Sequence, residues 1–199
     1  MDETHPDWTI KPLSSETWPA FEQLAAKHNG VWGGCWCIAF HSNTGRLSKE
    51  ESNHDYKQRL TKTGKAHAAL VFEGDQAIAW CQFGSPTELY DICHKKTYQT
   101  LVIQPPDYRI TCLFVDKDYR KQGVAQVAVG GALGLIAESG GGVVEASPQE
   151  TRSEQTSSGF LYNGTTHMFE QLGFARVGQL GKNDWLLRRV VSPTIKKDY

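Results

Sequence analysis

The sequence predicts a mixed α/β domain, and three observations lead to that class. Short runs suited to strands recur along the chain, and residues 8–13 alternate in the manner of an edge strand. The Glu-Gly-Asp sequence at residues 73–75 separates two such runs and is typical of an antiparallel hairpin. Residues 123–137 are small or apolar almost throughout, which predicts a buried helix.

The first half of the chain predicts two helices and a pair of strands. Residues 14–16 are capping residues, and the apolar residues that follow, Phe21, Leu24 and Ala25, recur at helical spacing. Residues 30–41 mix glycines with aromatic residues and fit no single period, so they are interpreted as an ordered loop. The remaining elements are a helix over residues 52–63 and strands over residues 67–72 and 76–83.

The second half predicts a central strand that leads into the buried helix. Ser85-Pro86 is expected to open another helical stretch, whereas the polar residues 94–108, with Pro105-Pro106, are expected to form a loop. Gly130, Gly131 and Gly134 predict close packing of the buried helix. The other elements are the central strand over 109–115, a short strand over 143–146, a polar loop over 147–159, a helix over 165–172 and a final hairpin over 174–180 and 185–191.

Length and composition predict one globular domain over residues 1–191 with a flexible tail over residues 192–199. The formal net charge is −1, so neither nucleic acid nor an anionic membrane is an expected partner. No apolar run reaches the roughly 18 to 20 residues of a membrane span, and the chain starts with acidic residues, which favours a cytoplasmic location. Five scattered cysteines suit reduced thiols better than a disulfide framework.

Residues 110–125 carry the clearest chemical signal. A β-rich run passes through a short turn containing Arg120 and Lys121 into the apolar helix. The start of a helix leaves backbone N–H groups unpaired, and the helix dipole behind them favours phosphate. The segment lacks the Gly-Lys-Ser/Thr of a nucleotide triphosphatase loop and the three-glycine spacing of a dinucleotide fold. Diphosphate binding without a metal is therefore expected, with an ordinary strand-to-helix connection as the alternative.

These residues resemble the acyl-CoA motif of GNAT acetyltransferases. Leu113-Phe114-Val115 lies five residues before Arg120-x-x-Gly123-x-Ala125, in which Ala125 replaces the commoner second glycine of the family. Residues 167–174 are similar to the helix and Gly-Phe turn that follow the motif, and the likeness spans residues 67–190. The resemblance implies a GNAT-type α/β fold, a mixed, mostly antiparallel twisted sheet flanked by helices on both faces, with acetyl-CoA as co-substrate.

The same resemblance implies which residues contact the co-substrate. The backbones of Leu113 and Val115, with Phe114 between them, would pair with the pantetheine arm. The backbone amides of the turn would hold the diphosphate, and they belong to Arg120, Lys121, Gln122, Gly123, Val124 and Ala125. Residues 33–37, Gly-Gly-Cys-Trp-Cys, are also similar to a subgroup of uncharacterised bacterial members of the family.

The reaction of an amine with a thioester needs a base, an oxyanion donor and a way for the thiolate to leave. A backbone amide near Val115 is the expected oxyanion donor. Glu145 lies within an apolar stretch whose partial desolvation favours proton uptake, so it is the predicted base, with a solvent-facing glutamate, Asp107 or a water relay as alternatives. Many GNAT relatives place a tyrosine where this chain has Phe169, so Tyr162 is the expected acid.

Residues 31–41 and 145–162 are expected to shape the acceptor site. The candidates for its wall in the first segment are Trp32, Cys35, Trp36, Cys37 and His41. Cysteine and tryptophan are also common core residues, so packing beneath a loop is the alternative. A structural zinc site takes four ligands, whereas this segment supplies two cysteines and one histidine, so no metal is expected.

The sequence thus predicts an N-acetyltransferase that moves an acetyl group from acetyl-CoA to a small-molecule or peptide amine by direct attack on the thioester. The alternative is a non-catalytic acyl-CoA sensor or interaction module of the same fold, which the phenylalanine at position 169 favours. A metal-dependent hydrolase built on the Cys-x-Cys segment is a third hypothesis. A homodimer is also compatible with the sequence.

Overall fold

The computed structural model describes residues 8–41, 46, 48–151 and 163–194, which contain seven strands and five helices. The strands are β1 Trp8–Pro12, β2 His67–Glu73, β3 Gln76–Gly84, β4 Tyr108–Val115, β5 Gly142–Ala146, β6 Ala175–Gln179 and β7 Trp185–Val191. The helices are α1 Trp18–Lys27, α2 Asn53–Lys62, α3 Lys95–Leu101, α4 Val124–Glu138 and α5 Thr166–Gln171.

The strands form one twisted sheet in the order β1-β2-β3-β4-β5-β7-β6. Neighbouring strands are antiparallel except for β4 and β5, which are parallel. A parallel pair needs a crossover connection, and α4 supplies it by packing back onto the sheet. The predicted mixed, mostly antiparallel sheet is therefore confirmed.

Two hydrophobic layers cover the two faces of the sheet. On one face, α4 and α5 bury residues such as Val129, Ile136 and Phe169 against β2, β3, β4 and β7. On the other face, α1 buries Phe21 against Trp80 of β3, with ring centroids 4.9 Å apart. Helix α3 packs on the side of β7 that carries Leu186. Helices therefore cover both faces of the sheet, as predicted.

Most predicted elements are present with small changes at their ends. Helix α2 begins after Ser52, whose hydroxyl accepts a hydrogen bond from the backbone N–H of Asp55, as a capping residue should. Helix α1 begins after Thr17 rather than within residues 14–16, because Ser14 and Thr17 bond each other in the preceding turn. Parts of the predicted loop over residues 147–159 and of the tail from residue 192 lie outside the described residues.

Two predictions between β3 and β4 are wrong. Ser85-Pro86 opens a turn rather than a helix, and the helix lies later, at α3, within the stretch predicted to be a loop. Helix α3 is polar and begins after His94 in a left-handed conformation without a capping side chain. Its one buried residue is Tyr98, so the apolar periodicity that reveals amphipathic helices is absent.

Strand β4 contains a bulge that the sequence did not reveal. Its register with β3 changes from Leu113 opposite Cys81 to Ile110 opposite Phe83, so three steps along β4 match two along β3. As a result Thr111 bonds Gln82 and Cys112 joins the hydrophobic cluster of α1, both on the same face. The bulge thus turns the hydroxyl of Thr111 toward the α1 side of the sheet.

The glycines of α4 differ in their packing, which gives a matched test. A Cβ atom on Gly131 would lie 2.8 Å from Cγ2 of Ile10, whereas one on Gly134 would meet nothing within 4 Å. We expect Gly134→Ala to raise the free energy of unfolding by up to about 1 kcal/mol through helix propensity. Gly131→Ala should lower it by about 1 to 3 kcal/mol, because the stiff isoleucine must move. Urea unfolding measures both, and equal effects at the two positions would contradict this packing.

Candidate active site

The sheet divides between β4 and β5. The two strands pair only at Tyr108 with Val144, Arg109 with Glu145 and Ile110 with Ala146, although β4 continues to Val115. Beyond Ala146 the chain stays with β7, since the N–H of Trp185 donates to the carbonyl of Pro148 and Gln149 bridges to Asp184. Among the described residues, no strand pairs with this edge of β4 from Thr111 to Val115.

The turn after β4 leaves a row of backbone donors free. After the 3₁₀ turn Lys117–Tyr119, the chain reaches α4 through Lys121 and Gly123, both in the left-handed region with φ of 60° and 84°. Hydrogen bonds among the described residues use none of the backbone N–H groups from Lys121 to Ala125. A Cβ on Gly123 would meet nothing within 4 Å, so the space in front of these donors is open. The turn is therefore built to accept an anion.

Helix α1 anchors the start of this turn. The buried carboxylate of Asp116 accepts a hydrogen bond from Lys27 Nζ at 2.6 Å, and the same amine reaches Asp118 at 2.9 Å. Burial raises the pKa of Asp116, but the hydrogen bonds from Lys27 and from the backbone N–H of Asp118, together with the charges of Lys27 and His28, hold the pKa below its usual value. The Asp116 carboxylate also accepts from the backbone N–H of Asp118, which fixes the first step of the turn.

A cleft lies at the base of the division between β4 and β5, on the face of the sheet opposite α4. It contains about 350 Å³ of empty space, part of it open to solvent. Strands β4 and β5 supply its floor, and the segment before α3 and the start of the α5 segment supply its walls. The lining residues are Phe40, Ile92, Cys93, Tyr98, Arg109, Ile110, Thr111, Glu145, Ala146, Ser147 and Asn163.

Glu145 is the buried carboxylate of this cleft. The Tyr98 hydroxyl donates to its Oε2 at 2.7 Å, and Arg188 Nε donates to its Oε1 at 2.6 Å. Tyr98 in turn accepts from Arg109 at 3.2 Å, so one network joins two arginines, a tyrosine and a carboxylate. Burial and then the hydrogen bond to Glu145 raise the pKa of Tyr98, which keeps this phenol protonated.

A second buried polar network leads from the segment 30–41 to the cleft. Lys57, 1% exposed, donates to the Gln82 side chain, to the Cys37 carbonyl at 3.3 Å and to His41 Nε2 at 3.5 Å. Gln82 then donates to the Thr111 hydroxyl at 3.0 Å. The hydroxyl that reaches the cleft is thus oriented by groups beneath the sheet surface.

His41 is neutral in this network. Its Nδ1 lies 3.1 Å from the carbonyl of Glu88, which can only accept, so Nδ1 carries the proton and Nε2 accepts from Lys57. Burial, and then the neighbouring charge of Lys57, lowers the pKa of His41 to about 3. Burial also lowers the pKa of Lys57.

The predicted acyl-CoA residues lie together. Leu113, Phe114 and Val115 form the edge strand beyond the division, and residues 120–125 follow as the open turn. Arg120 donates from Nε to the carbonyl of Val115 at 3.3 Å, which ties the turn back to the strand. The structure thus brings all nine predicted residues into one continuous surface, while their role in binding stays a prediction.

The predicted catalytic residues have different outcomes. Glu145 faces the cleft, as expected for a base, and Asp107, the alternative, instead accepts from the N–H of Val143 at the far end of β5. Tyr162 lies outside the described residues. Phe169 is fully buried against Phe174, with ring centroids 5.0 Å apart. The base and acid assignments therefore stay predictions.

None of the predicted acceptor-wall residues belongs to the lining of the cleft. Cys37 and His41 are buried, and Trp32 and Trp36 pack against the hydrophobic cluster of α1. Cys35 is half-buried in the same loop. Phe40 is the residue of the range 31–41 that lines the cleft, and the sequence did not single it out.

Tyr98 and Arg109 also line the cleft and were not singled out from the sequence. Tyr98 was assigned to a loop, and Arg109 was counted as the first residue of the central strand. A signal did exist for Arg109, because an arginine at the start of a buried strand needs a partner or a ligand. Within the described ranges, no group of three or more His, Cys, Asp and Glu side chains is arranged to hold a metal, and no helix is long and apolar enough to cross a membrane.

Comparisons with known proteins agree with this architecture. Residues 12–174 match the model of the acetyltransferase (GNAT) family. The fold is similar to the ribosomal-protein-S18-alanine N-acetyltransferase of Escherichia coli, at 11% identity and a TM-score of 0.51, covering 96% of this chain and 99% of that one. It is also similar to mosquito arylalkylamine N-acetyltransferase like 5b, at 10% identity and a TM-score of 0.53, covering 92% and 100%. A search of curated proteins returned no match.

The fold places the chain in the α/β class of the acetyltransferase structures to which it is similar. The family model covers most of the chain, and the chain therefore belongs to the GNAT acetyltransferase family. This family membership supports acyl transfer in general as the activity of the domain.

The depressed pKa of His41 predicts acid sensitivity. The unfolded chain takes up a proton on this histidine near pH 6.5, whereas the folded protein does not until about pH 3. The free energy of unfolding should therefore fall as pH falls below 6.5, by up to about 1.4 kcal/mol per pH unit. We expect His41→Gln to flatten this dependence in urea unfolding at pH 7.5, 6.5 and 5.5.

His54 serves as the control, because its pKa is shifted in the opposite direction from that of His41. Although burial lowers its pKa, hydrogen bonds with Asp55 and Glu22 raise it above the usual value. The contribution of His54 to the free energy of unfolding is complete below pH 6.5, and it is lost as pH rises through the raised pKa of the folded protein. His54→Gln should leave the acid slope intact, and an acid slope unchanged in His41→Gln would contradict the buried neutral histidine.

Proposed function

We propose that this chain transfers an acetyl group from acetyl-CoA to an amine acceptor. The observation that carries the proposal is the continuity of two features, the unpaired edge of β4 and the free backbone donors of the turn that follows it. The first suits the amide groups of a pantetheine arm, and the second suits a diphosphate. A single extended ligand that carries both groups in this order is CoA.

The chemistry of the turn fits this ligand. Backbone N–H groups and the positive end of a 15-residue helix favour a diphosphate, and the left-handed Gly123 keeps side chains out of its path. The side chains of Arg120 and Lys121 are exposed at the rim and add positive charge. Acetyl-CoA, when bound, supplies an activated thioester that reacts with a neutral amine.

The residues of the cleft would then handle the acceptor. The division between β4 and β5 connects the acyl-CoA edge to the cleft, so an amine in the cleft can reach a thioester that lies along β4. The amine nitrogen attacks the carbonyl carbon, a C–N bond forms, and the C–S bond breaks to release CoA thiolate. A backbone N–H of β4 near Val115 would hold the oxyanion, because its direction is fixed before the reaction.

Proton transfer is assigned to Glu145 and, for the leaving thiolate, to Tyr162 or solvent. Glu145 lies on the floor of the cleft, and its two hydrogen bonds leave acceptor capacity on both oxygens. The contacts with Tyr98 and Arg188 fix the orientation of its carboxylate. A thiol is acidic enough to leave near neutral pH with little help.

A non-catalytic acyl-CoA sensor is the second candidate. Phe169 occupies the core where the resemblance places a tyrosine, and it offers no proton donor. A sensor would bind acetyl-CoA through the same turn yet release no CoA with any amine. Measuring thiol release across a panel of amines separates the two candidates.

Gly123→Glu tests the binding surface. The substitution places an anion where the diphosphate would lie, so we expect loss of the thermal stabilisation by CoA that the parent protein shows. For the parent, a CoA concentration of 100 Kd stabilises by about 2.7 kcal/mol. Gly64→Glu is the matched control, because Gly64 also has a positive φ, at 66°, and open space around it, at the end of α2.

The two variants should lose similar stability, since each places a side chain in the left-handed region. Only Gly123→Glu should lose CoA binding in calorimetry. CoA affinity equal to that of the parent in Gly123→Glu would place the diphosphate elsewhere and contradict the proposal.

Glu145→Gln tests the base. We expect kcat to fall by about a hundredfold to ten-thousandfold while the Kd for acetyl-CoA changes little, because a base acts on the acceptor proton. Glu138→Gln, at the exposed end of α4, is the control and should match the parent. Unchanged turnover in Glu145→Gln, with a native circular dichroism spectrum, would leave the carboxylate with a structural role alone.

A further inference from the structure

Arg109 is a buried cation without a carboxylate in contact among the described residues. Its side chain lines the cleft, and the residue is only 8% exposed. One guanidinium nitrogen donates to the Leu89 carbonyl at 2.7 Å and the other to the Tyr98 hydroxyl at 3.2 Å, both neutral oxygens. Its Nε is buried and has no acceptor in the described structure. A buried guanidinium in this state is stabilised strongly by an anion.

The charges around the cleft do not cancel. Arg109 and Arg188 contribute two positive charges, and Glu145 contributes one negative charge, which Arg188 contacts directly. Tyr98 separates Arg109 from Glu145, because its hydroxyl accepts from the first and donates to the second. Within the described residues the network therefore carries one uncompensated positive charge, and that charge sits on Arg109.

The cleft also offers acceptors for a positively charged or neutral amine. Asn163 lines it and is 8% exposed, and its Oδ1 is buried and receives no hydrogen bond from the described residues. The oxygens of Glu145 lie on the floor of the same cleft. One cleft thus holds an unused donor on a cation and unused acceptor capacity on an amide and a carboxylate.

We propose that the acceptor is an amino acid, whose carboxylate pairs with Arg109 and whose amine lies against Glu145 and Asn163. The proposal rests on the proposed acetyl transfer and names the substrate class for the same cleft. Arg109 and Glu145 are directly opposite each other across the β4–β5 pair, so the two ligand groups must be close together in one small molecule.

The same geometry explains why simple amines would be poor acceptors. An amine without a carboxylate fills the cleft but leaves the Arg109 charge uncompensated and its Nε without an acceptor, which a buried site penalises. In the productive complex, the ammonium loses a proton to Glu145 and the free amine attacks the thioester carbonyl to form the C–N bond. The C–S bond breaks to release CoA thiolate, and the second proton of the nitrogen passes to that thiolate or to solvent. The product is an N-acetyl amino acid whose carboxylate still pairs with Arg109.

The first experiment needs only the parent protein. The twenty standard amino acids, their amides and the amines formed by removing the carboxyl group are each tested with acetyl-CoA, by thiol release and by mass spectrometry of the product. We expect at least one amino acid to react with a kcat/KM about 10- to 100-fold above that of its own amide, which keeps the amine but loses the charge.

The second experiment uses Arg109 variants. Arg109→Gln should lower kcat/KM for that amino acid by about 10- to 100-fold and leave its amide nearly unchanged, so that the preference disappears. Arg109→Lys keeps the charge and should retain part of the preference, which provides a test if the glutamine variant does not fold. Arg59→Gln, on the surface of α2, is the matched control and should retain the full preference. If Arg109 had only a structural role, its substitution would lower kcat/KM equally for the amino acid and for its amide.

The outcomes separate the two proposals. If acetyl-CoA does not bind to the parent protein in calorimetry, the proposed function is wrong. If acetyl-CoA binds but amides or simple amines react as well as amino acids, the amino acid proposal is overturned and the acyl-CoA site stands. The same conclusion follows if acetyl-CoA binds but no amino acid reacts or raises the melting temperature of the CoA complex.

Discussion

The parallel pairing of β4 with β5 at only three positions is the constraint on which the rest of this structure depends. Because β5 continues along β7 after Ala146, one edge of β4 loses its neighbour in the middle of the sheet. A buried edge with unpaired backbone groups is costly unless a ligand or solvent completes it. The same division creates the cleft on the opposite face from α4, so the proposed acyl-CoA surface and the proposed acceptor cleft have a common structural origin.

Two buried polar networks hold this division in shape. On one side, Lys27 and Asp116 fix the start of the diphosphate turn to the end of α1. Beneath the cleft, Lys57 and Gln82 orient the hydroxyl of Thr111, which the bulge in β4 turns toward that face. Asp116, Lys57 and Gln82 are buried, so the hydrogen bonds that they make are costly to lose.

Much of the fold and half of the site follow from the sequence. Alternating strands, the hairpin at Gly74 and the apolar α4 have strong local patterns, and the turn at residues 120–125 carries its glycine where a left-handed residue is needed. Helix α3 has no such pattern, because it is mostly polar and Tyr98 is its one buried residue. The partners of Glu145 and the isolation of Arg109 depend on which distant elements pack together, and local sequence does not encode that.

The central claim is that the open edge of β4 and the turn after it form one acyl-CoA surface. Amide hydrogen exchange, followed by mass spectrometry with and without CoA, tests it most directly, because the free N–H groups there exchange rapidly until a ligand accepts their hydrogens. We expect CoA to slow exchange in peptides that span residues 112–126 and to leave the hairpin at residues 67–84 unchanged. Protection confined to other segments, with residues 112–126 unaffected, would contradict the claim.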